Sequence, residues 1–235
     1  MSAGVMSLQL LGCFQLLVDD QIAHLPFQAQ RVVAYLAVSA SPIARRQLAE
    51  TLWPFSKRSR AHANLRTALW RVGHEAPQAV TATHDLVQLD GSVEVDYRAL
   101  LTSAVNDPAP AGTDSTPIDQ LTGELLPGWD EEWLMIERER SRQICLRQLE
   151  TLSRHHLGSG AVAEAIDAAL ASIGIEPLRE SSHLALIEAH VADGNHAEAA
   201  RQVTRLTDLL HSELSIAPSP QFRRRVASLG LPLAS

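Results

Sequence analysis

The chain has 235 residues, of which 46% are hydrophobic and 20% charged, and 20 Lys+Arg against 27 Asp+Glu give a formal charge of −7. That is room for one large or two modest domains of ordinary globular composition, and the net negative charge excludes indiscriminate coating of nucleic acid while allowing a local basic patch. Cys13 and Cys145 supply neither a disulfide framework nor a metal quartet, no apolar run reaches the roughly 20 residues of a membrane span, and no basic stretch precedes the first apolar run as in a signal peptide.

Residues 8–18 (LQLLGCFQLLV) form an apolar, β-prone run and are predicted as a strand. Asp19-Asp20-Gln21 supplies a turn, and residues 22–25 a returning strand before Pro26. Residues 28–38 place Val32, Val33, Leu36 and Ala37 on one helical stripe, which residues 39–42 break. Residues 45–53 set Leu48, Ala49 and Leu52 along a short helix stopped by Pro54. Residues 55–59 read as a loop, with a third helix starting near Arg60. After Pro77 come three short β-prone pieces, residues 79–83, 86–89 and 93–95, with Asp90-Gly91 as a turn between the last two. Strands, three helices and a hairpin make the order of a winged helix-turn-helix, with residues 86–95 as the wing.

Residues 106–117 (NDPAPAGTDSTP) have the composition of a flexible loop or linker. Beyond Trp129 and Trp133, an apolar segment joining the halves, the chain is strongly helical, beginning with a long charged helix over residues 137–154. Gly160-Ala-Val-Ala-Glu164-Ala165 then recurs 34 residues later as Gly194-Asn-His-Ala-Glu198-Ala199, the period of a tetratricopeptide helix pair, and the small Ala165 and Ala199 allow close helix approach.

Charge is distributed unevenly. Residues 1–100 hold nine Lys/Arg and eight Asp/Glu, the remainder eleven and nineteen, so contact with a polyanion is expected from the first half. Within it, residues 45–72 carry Arg45, Arg46, Lys57, Arg58, Arg60, Arg66 and Arg71 against Glu50 alone. On a helical wheel of residues 60–72, Ala61, Leu65, Ala68, Leu69 and Val72 converge on a core side. The other side presents Arg60, Asn64, Thr67, Trp70 and Arg71, with Arg66 on the flank. Arg and Asn suit the major groove because each makes paired hydrogen bonds to guanine or adenine edges. The N-terminal part of such a helix reads bases, which selects Arg60, Asn64 and Thr67, while Lys57 and Arg58 in the preceding loop suit phosphates. Trp70 is expected to pack against the second domain, with a place along a sugar–phosphate strand as the alternative. The wing has no Arg or Lys and contributes little affinity.

Several motifs are similar to those of the Streptomyces antibiotic regulatory proteins. Leu10-Leu11-Gly12-Cys13-Phe14 resembles their opening strand, and Leu52-Trp53-Pro54 with Ala63-Asn64-Leu65-Arg66-Thr67-Ala68-Leu69-Trp70-Arg71 the end of their second helix and their recognition helix. Gly123-Glu124-Leu125-Leu126-Pro127-Gly128-Trp129, then Trp133, Glu137-Arg138-Glu139-Arg140 and Pro177-Leu178-Arg179-Glu180, look like the bacterial transcriptional activator domain that follows. Gly73 departs from the family by standing where another basic residue is common. The resemblance implies a mostly α chain with small β-sheets: an OmpR-like winged helix-turn-helix over residues 1–96, then a tetratricopeptide-like helical domain over residues 97–235. It further implies a cytoplasmic transcription activator of a biosynthetic gene cluster that binds direct repeats in double-stranded promoter DNA as a homodimer and engages RNA polymerase.

The alternative is a protein-interaction scaffold in which the helical repeats bind a partner and the winged helix is a docking module. Enzyme motifs are missing: Gly158-Ser159-Gly160 lacks the Lys-Ser/Thr of a phosphate-binding loop, and there is no nucleophile elbow and no His-Glu-x-x-His. The ten histidines are scattered; His155 and His156 point apart on a helix, and His183 and His190 are more simply read as packed or solvated than as ligands. No metal, cofactor or membrane contact is expected.

Overall fold

The computed structural model describes residues 5–105 and 118–232, so the loop expected over residues 106–117 lies outside the described residues. Three short strands open the chain, β1 (Met6–Gln9), β2 (Gln15–Val18) and β3 (Gln21–Ile22). β1 and β2 are antiparallel, with Leu8 opposite Leu16, and β3 continues beyond β2. The run expected as one strand is therefore a hairpin. Gly12 lies at φ +84°, a left-handed conformation that glycine adopts without penalty, and the chain reverses around it. Met6, Leu8, Leu10 and Leu16 are all buried, because both arms of the hairpin contribute to one core.

Three helices follow: α1 (Phe27–Ser39), then, after the two-residue strand β4 (Ile43–Ala44), α2 (Arg45–Leu52) and α3 (Arg58–Glu75). α1 buries Ala29, Val32, Val33, Leu36 and Ala37 and ends at Ala40 in the left-handed region. Its last carbonyls lack helical partners; Arg98 supplies them, with Nε donating to Ala37 O (2.8 Å) and Nη2 to Leu36 O (3.0 Å). Strands β5 (Val80–Ala82), β6 (Leu86–Leu89) and β7 (Val93–Val95) then lead into α4 (Asp96–Val105).

The strand pairing corrects the expected wing. β6 pairs antiparallel with β5 and with β4, whereas β7 pairs parallel with β1 in the other sheet. Residues 86–95 are thus not a hairpin; the wing is β5–β6, turning through Thr83–Leu86. At the turn after β6, the Asp90 carboxylate accepts from Ser92 N (3.0 Å) and Ser92 Oγ (2.7 Å). Beyond it, Val93 and Val95 are buried beside β1. The Asp96 carboxylate next accepts from the backbone N–H of Leu10 and Leu11 (2.9 Å each), fastening α4 to the end of β1.

Contacts divide the described chain into two compact units, and the first joins residues up to 105 with Gly123–Ser141, past the expected boundary at residue 96. The returning segment adds to the sheet end: Gly12 N donates to Glu124 O and Leu126 N to Leu10 O, both 2.8 Å, around an antiparallel bridge between Leu11 and Leu125. Trp129 packs on Phe14 (centroids 5.8 Å) and edge-on to Phe27 (4.9 Å), and Trp133 meets Tyr35 edge-on (5.0 Å). Arg138 donates to the carbonyls of Leu125, Leu126 and Trp129. The Tyr97 hydroxyl donates to Glu137 Oε2 (2.7 Å); burial and then that carboxylate push the phenol pKa up.

The second unit holds a single helical turn, α5 (Ile118–Leu121), and the part of α6 (Leu134–Gly158) after Ser141. It continues with α7 (Val162–Ile175), α8 (Glu180–Ala192), α9 (His196–Leu214) and α10 (Pro220–Ser228). The repeat has a physical basis. Gly160 and Gly194 sit at φ +80° and +75° in equivalent turns, and Ala165 and Ala199 are fully buried. Asn195 caps α9 by accepting from Glu198 N. Arg179 pairs with Glu150 at 2.7 Å, and Glu180 accepts from the backbone N–H (2.6 Å) and hydroxyl of Ser219, the N-cap of α10. His183 is a buried core residue: Gln202 Nε2 faces its Nδ1 (2.6 Å) and its Nε2 faces Pro177 O (2.8 Å), which selects the neutral tautomer protonated on Nε2.

Candidate nucleic-acid interface

α3 buries Ala61, Leu65, Ala68 and Val72, spaced four, three and four residues apart, against α1 and α2. Leu69 is half-buried on the same side. Four large or small apolar side chains on one stripe fix the helix's rotation and hence what it turns outward. Its approach is fixed from the other end. Arg31 on α1 forms a two-pronged ion pair with Glu131, both side chains only about a tenth exposed. The same guanidinium donates to Leu52 O (2.6 Å) at the end of α2 and to Gln28 Oε1 (2.9 Å), and lies over the Trp53 ring (5.7 Å). Trp53 Nε1 in turn donates to Gln28 Oε1 (3.0 Å). The chain therefore enters the loop before α3 from an anchored point.

Sequence reasoning missed Arg31 and Glu131. A lone charge on α1 was the available signal for Arg31; its carboxylate, 100 residues away, had none.

Arg60, Arg66, Thr67 and Arg71 are exposed on α3, and Asn64 is half-buried between them. Thr67 Oγ1 donates to Ala63 O (3.1 Å), which leaves the hydroxyl oxygen of this exposed side chain able to accept. Lys57 is exposed at the N-cap. Arg58 is the first residue of α3 rather than a loop residue, and stands 3.7 Å from Glu50, which also takes a 2.9 Å contact from Arg46. The Arg46 hydrogen bond, with the Arg58 and His62 charges behind it, holds the Glu50 carboxyl below its usual range. The one acid of the basic window is thus shared by two arginines, and Lys57, Arg60, Arg66 and Arg71 face outward with no acid paired to them among the described residues.

Trp70 projects from α3 beyond the buried stripe. It is 61% exposed, and its ring partners lie on its own helix: the His74 imidazole stacks parallel at 5.7 Å and 5°, and the Arg71 guanidinium lies 4.9 Å from the ring centroid. The wing is held to α2, since Arg45 N donates to Asp85 O (2.8 Å) and Arg45 Nε to Thr83 O (2.9 Å). Its turn offers exposed His84 and Asp85 and no Lys or Arg. Among the described residues no three His, Cys, Asp or Glu side chains cluster as metal ligands, and no helix is long and apolar enough to cross a membrane.

Comparison with known proteins bears on both units. Residues 115–229 match the bacterial transcriptional activator domain. The fold is similar to that of Mycobacterium tuberculosis EmbR, solved in complex with a low-affinity phosphopeptide: the TM-score is 0.73 at 17% identity, over 98% of this chain and 67% of that one. No curated protein sequence matches the chain.

Proposed function

We propose that this chain, a member of the bacterial transcriptional activator domain family of regulators, is a sequence-specific DNA-binding activator that reads duplex DNA through α3. One observation carries this reading: Ala61, Leu65, Ala68 and Val72 lock one side of α3 into the core, and the outward side presents Arg60, Asn64, Thr67 and Arg71 within a basic window of an acidic chain. In the major groove Arg and Asn make paired hydrogen bonds to bases. Lys57, Arg58, Arg66, Trp70 and Arg71 hold the flanking backbone. The activator acts in the cytoplasm by binding rather than catalysis. It occupies direct repeats as two side-by-side protomers, recruits RNA polymerase and switches on a biosynthetic gene cluster.

Selection of bound duplexes from a random pool, followed by anisotropy titration of the winner and a scrambled control, tests the central claim. Arg60→Ala and Asn64→Ala are expected to weaken binding to the selected duplex and flatten its preference over the control. Unchanged affinity and preference in both variants would refute the assignment of α3. Footprint length tests the tandem arrangement, which protection of one half-site at saturation excludes.

A further inference from the structure

Arg60, Asn64, Thr67 and Arg71 follow one another at steps of four, three and four residues. The next step of three reaches His74, which is exposed and still inside α3. At about 100° per residue these five positions fall within roughly 40° of one line along the helix. His74 is therefore on the outward stripe and not beside it. Its imidazole is held, since it stacks parallel on Trp70 at 5.7 Å, while Arg71 lies over the same indole at 4.9 Å. Among the described residues no hydrogen bond engages either ring nitrogen of His74, so an N–H is available outward. Glu75, the adjacent acid, is turned about 100° from His74 around the helix, beyond the far edge of the stripe.

Distance along the helix decides what His74 meets. From Arg60 to His74 is fourteen residues, about 21 Å of rise, against a major groove about 12 Å wide. A straight helix whose N-terminal turns contact base edges has left the groove floor by that point and lies over a bounding sugar–phosphate strand. The chemistry matches this position: an imidazole N–H and a guanidinium, both donors, are gathered on one exposed indole. We propose that His74 is a further DNA-contacting residue, donating a ring N–H to a phosphate oxygen of the strand that bounds the groove, with Trp70 positioning the ring. The stripe then divides by role, with Arg60, Asn64 and Thr67 reading bases and Arg71 and His74 clamping the backbone.

This inference rests on the assignment of α3 to DNA, and the test separates the two. The full chain and its His74→Ala, His74→Phe, His74→Gln and Asn64→Ala variants are titrated against the selected duplex and a scrambled one. Unchanged far-UV circular dichroism shows that the exposed substitutions leave the fold intact. His74→Ala and His74→Phe are expected to weaken binding about five- to tenfold on both duplexes alike, the mark of a phosphate contact, with partial rescue by the N–H of His74→Gln. Asn64→Ala weakens the selected duplex alone. Wild-type affinity in His74→Phe overturns the proposal, reducing His74 to a support for Trp70 if His74→Ala is still weak. A loss confined to the selected duplex overturns it in favour of base reading. Failure of the wild-type chain to prefer any duplex sinks the assignment of α3 and this inference with it.

Discussion

The Arg31–Glu131 pair is the tightest electrostatic commitment in the first unit, and Glu131→Gln tests it with almost no change of shape. Losing one partner of a fully buried ion pair costs about 3–5 kcal/mol, because the other charge stays buried and unpaired. Two observations lower the figure here. Each side chain keeps about a tenth of its exposure, and Arg31 retains Leu52 O, Gln28 Oε1 and the face of Trp53. A loss of about 2–3 kcal/mol is therefore expected. All four tryptophans, Trp53, Trp70, Trp129 and Trp133, lie in this unit, so urea unfolding followed by tryptophan fluorescence reports it alone. Circular dichroism, in contrast, follows both units. The fluorescence midpoint should fall with unchanged slope. A cycle with Arg31→Met should return a coupling of about 1.5–2.5 kcal/mol, in the range for residues in direct contact. Coupling below about 0.5 kcal/mol would mean that the pair is only a geometric coincidence, and that the anchoring of the loop before α3 depends on packing instead.

Lys57→Ala should weaken binding to selected and scrambled duplexes equally and reduce the salt slope by about one, measured by anisotropy across a range of KCl, because an exposed N-cap lysine meets phosphate and not bases. Gly123→Ala would place a Cβ 3.1 Å from Gly12 N and Leu11 C, backbone atoms that cannot rotate away; a loss of about 1–3 kcal/mol is expected in the same urea experiment, and wild-type stability would show that the segment can shift. His183 is kept neutral in the fold by burial, so its pKa is lowered below the usual histidine value. Its contribution is complete above about pH 6.5, the unfolded value, and is lost as pH falls from there towards the lower folded pKa, because the unfolded chain takes up the proton first. Thermal melts at pH 7.5 and 5.5 should therefore differ by less in His183→Gln than in the wild type, and equal differences would refute the assignment.

The helices were legible because their signals are local. Apolar spacing and terminal prolines locate α1 and α2 to within one residue of their observed bounds and the start of α3 to within two. The strands were not, because pairing is a long-range choice. Asp90-Gly91 announces a turn but says nothing of which strand β7 joins, and burial of Val93 and Val95 beside β1 decides it. The run around Gly12 is apolar on both arms, so alternation had no polar partner with which to reveal a reversal. In the candidate interface, Arg60, Asn64, Thr67 and Arg71 follow from a helical wheel. Trp70 does not, since a tryptophan's size argues for burial and only the geometry shows the imidazole and guanidinium that partner it outside the core.

Outside α3, the motifs that carry the family resemblance are packing devices, which limits what they say about target choice. Gly12 and Phe14 sit beside Gly123 and Trp129: the first pair of segments exchanges backbone hydrogen bonds and the aromatic rings stack, so the two motifs constrain each other across more than 100 residues. Arg138 holds three carbonyls of that same segment, and Arg179 and Glu180 fasten helices in the second unit. None of these side chains lies on α3. Arg60, Asn64, Thr67, Arg71 and His74, by contrast, face outward and are free to vary without cost to the core. A chain that keeps every packing motif and exchanges only these five outward residues for another regulator's should fold with unchanged stability and prefer a different duplex. If its stability fell while its preference stayed the same, the division between scaffold and reading surface drawn along α3 would be wrong.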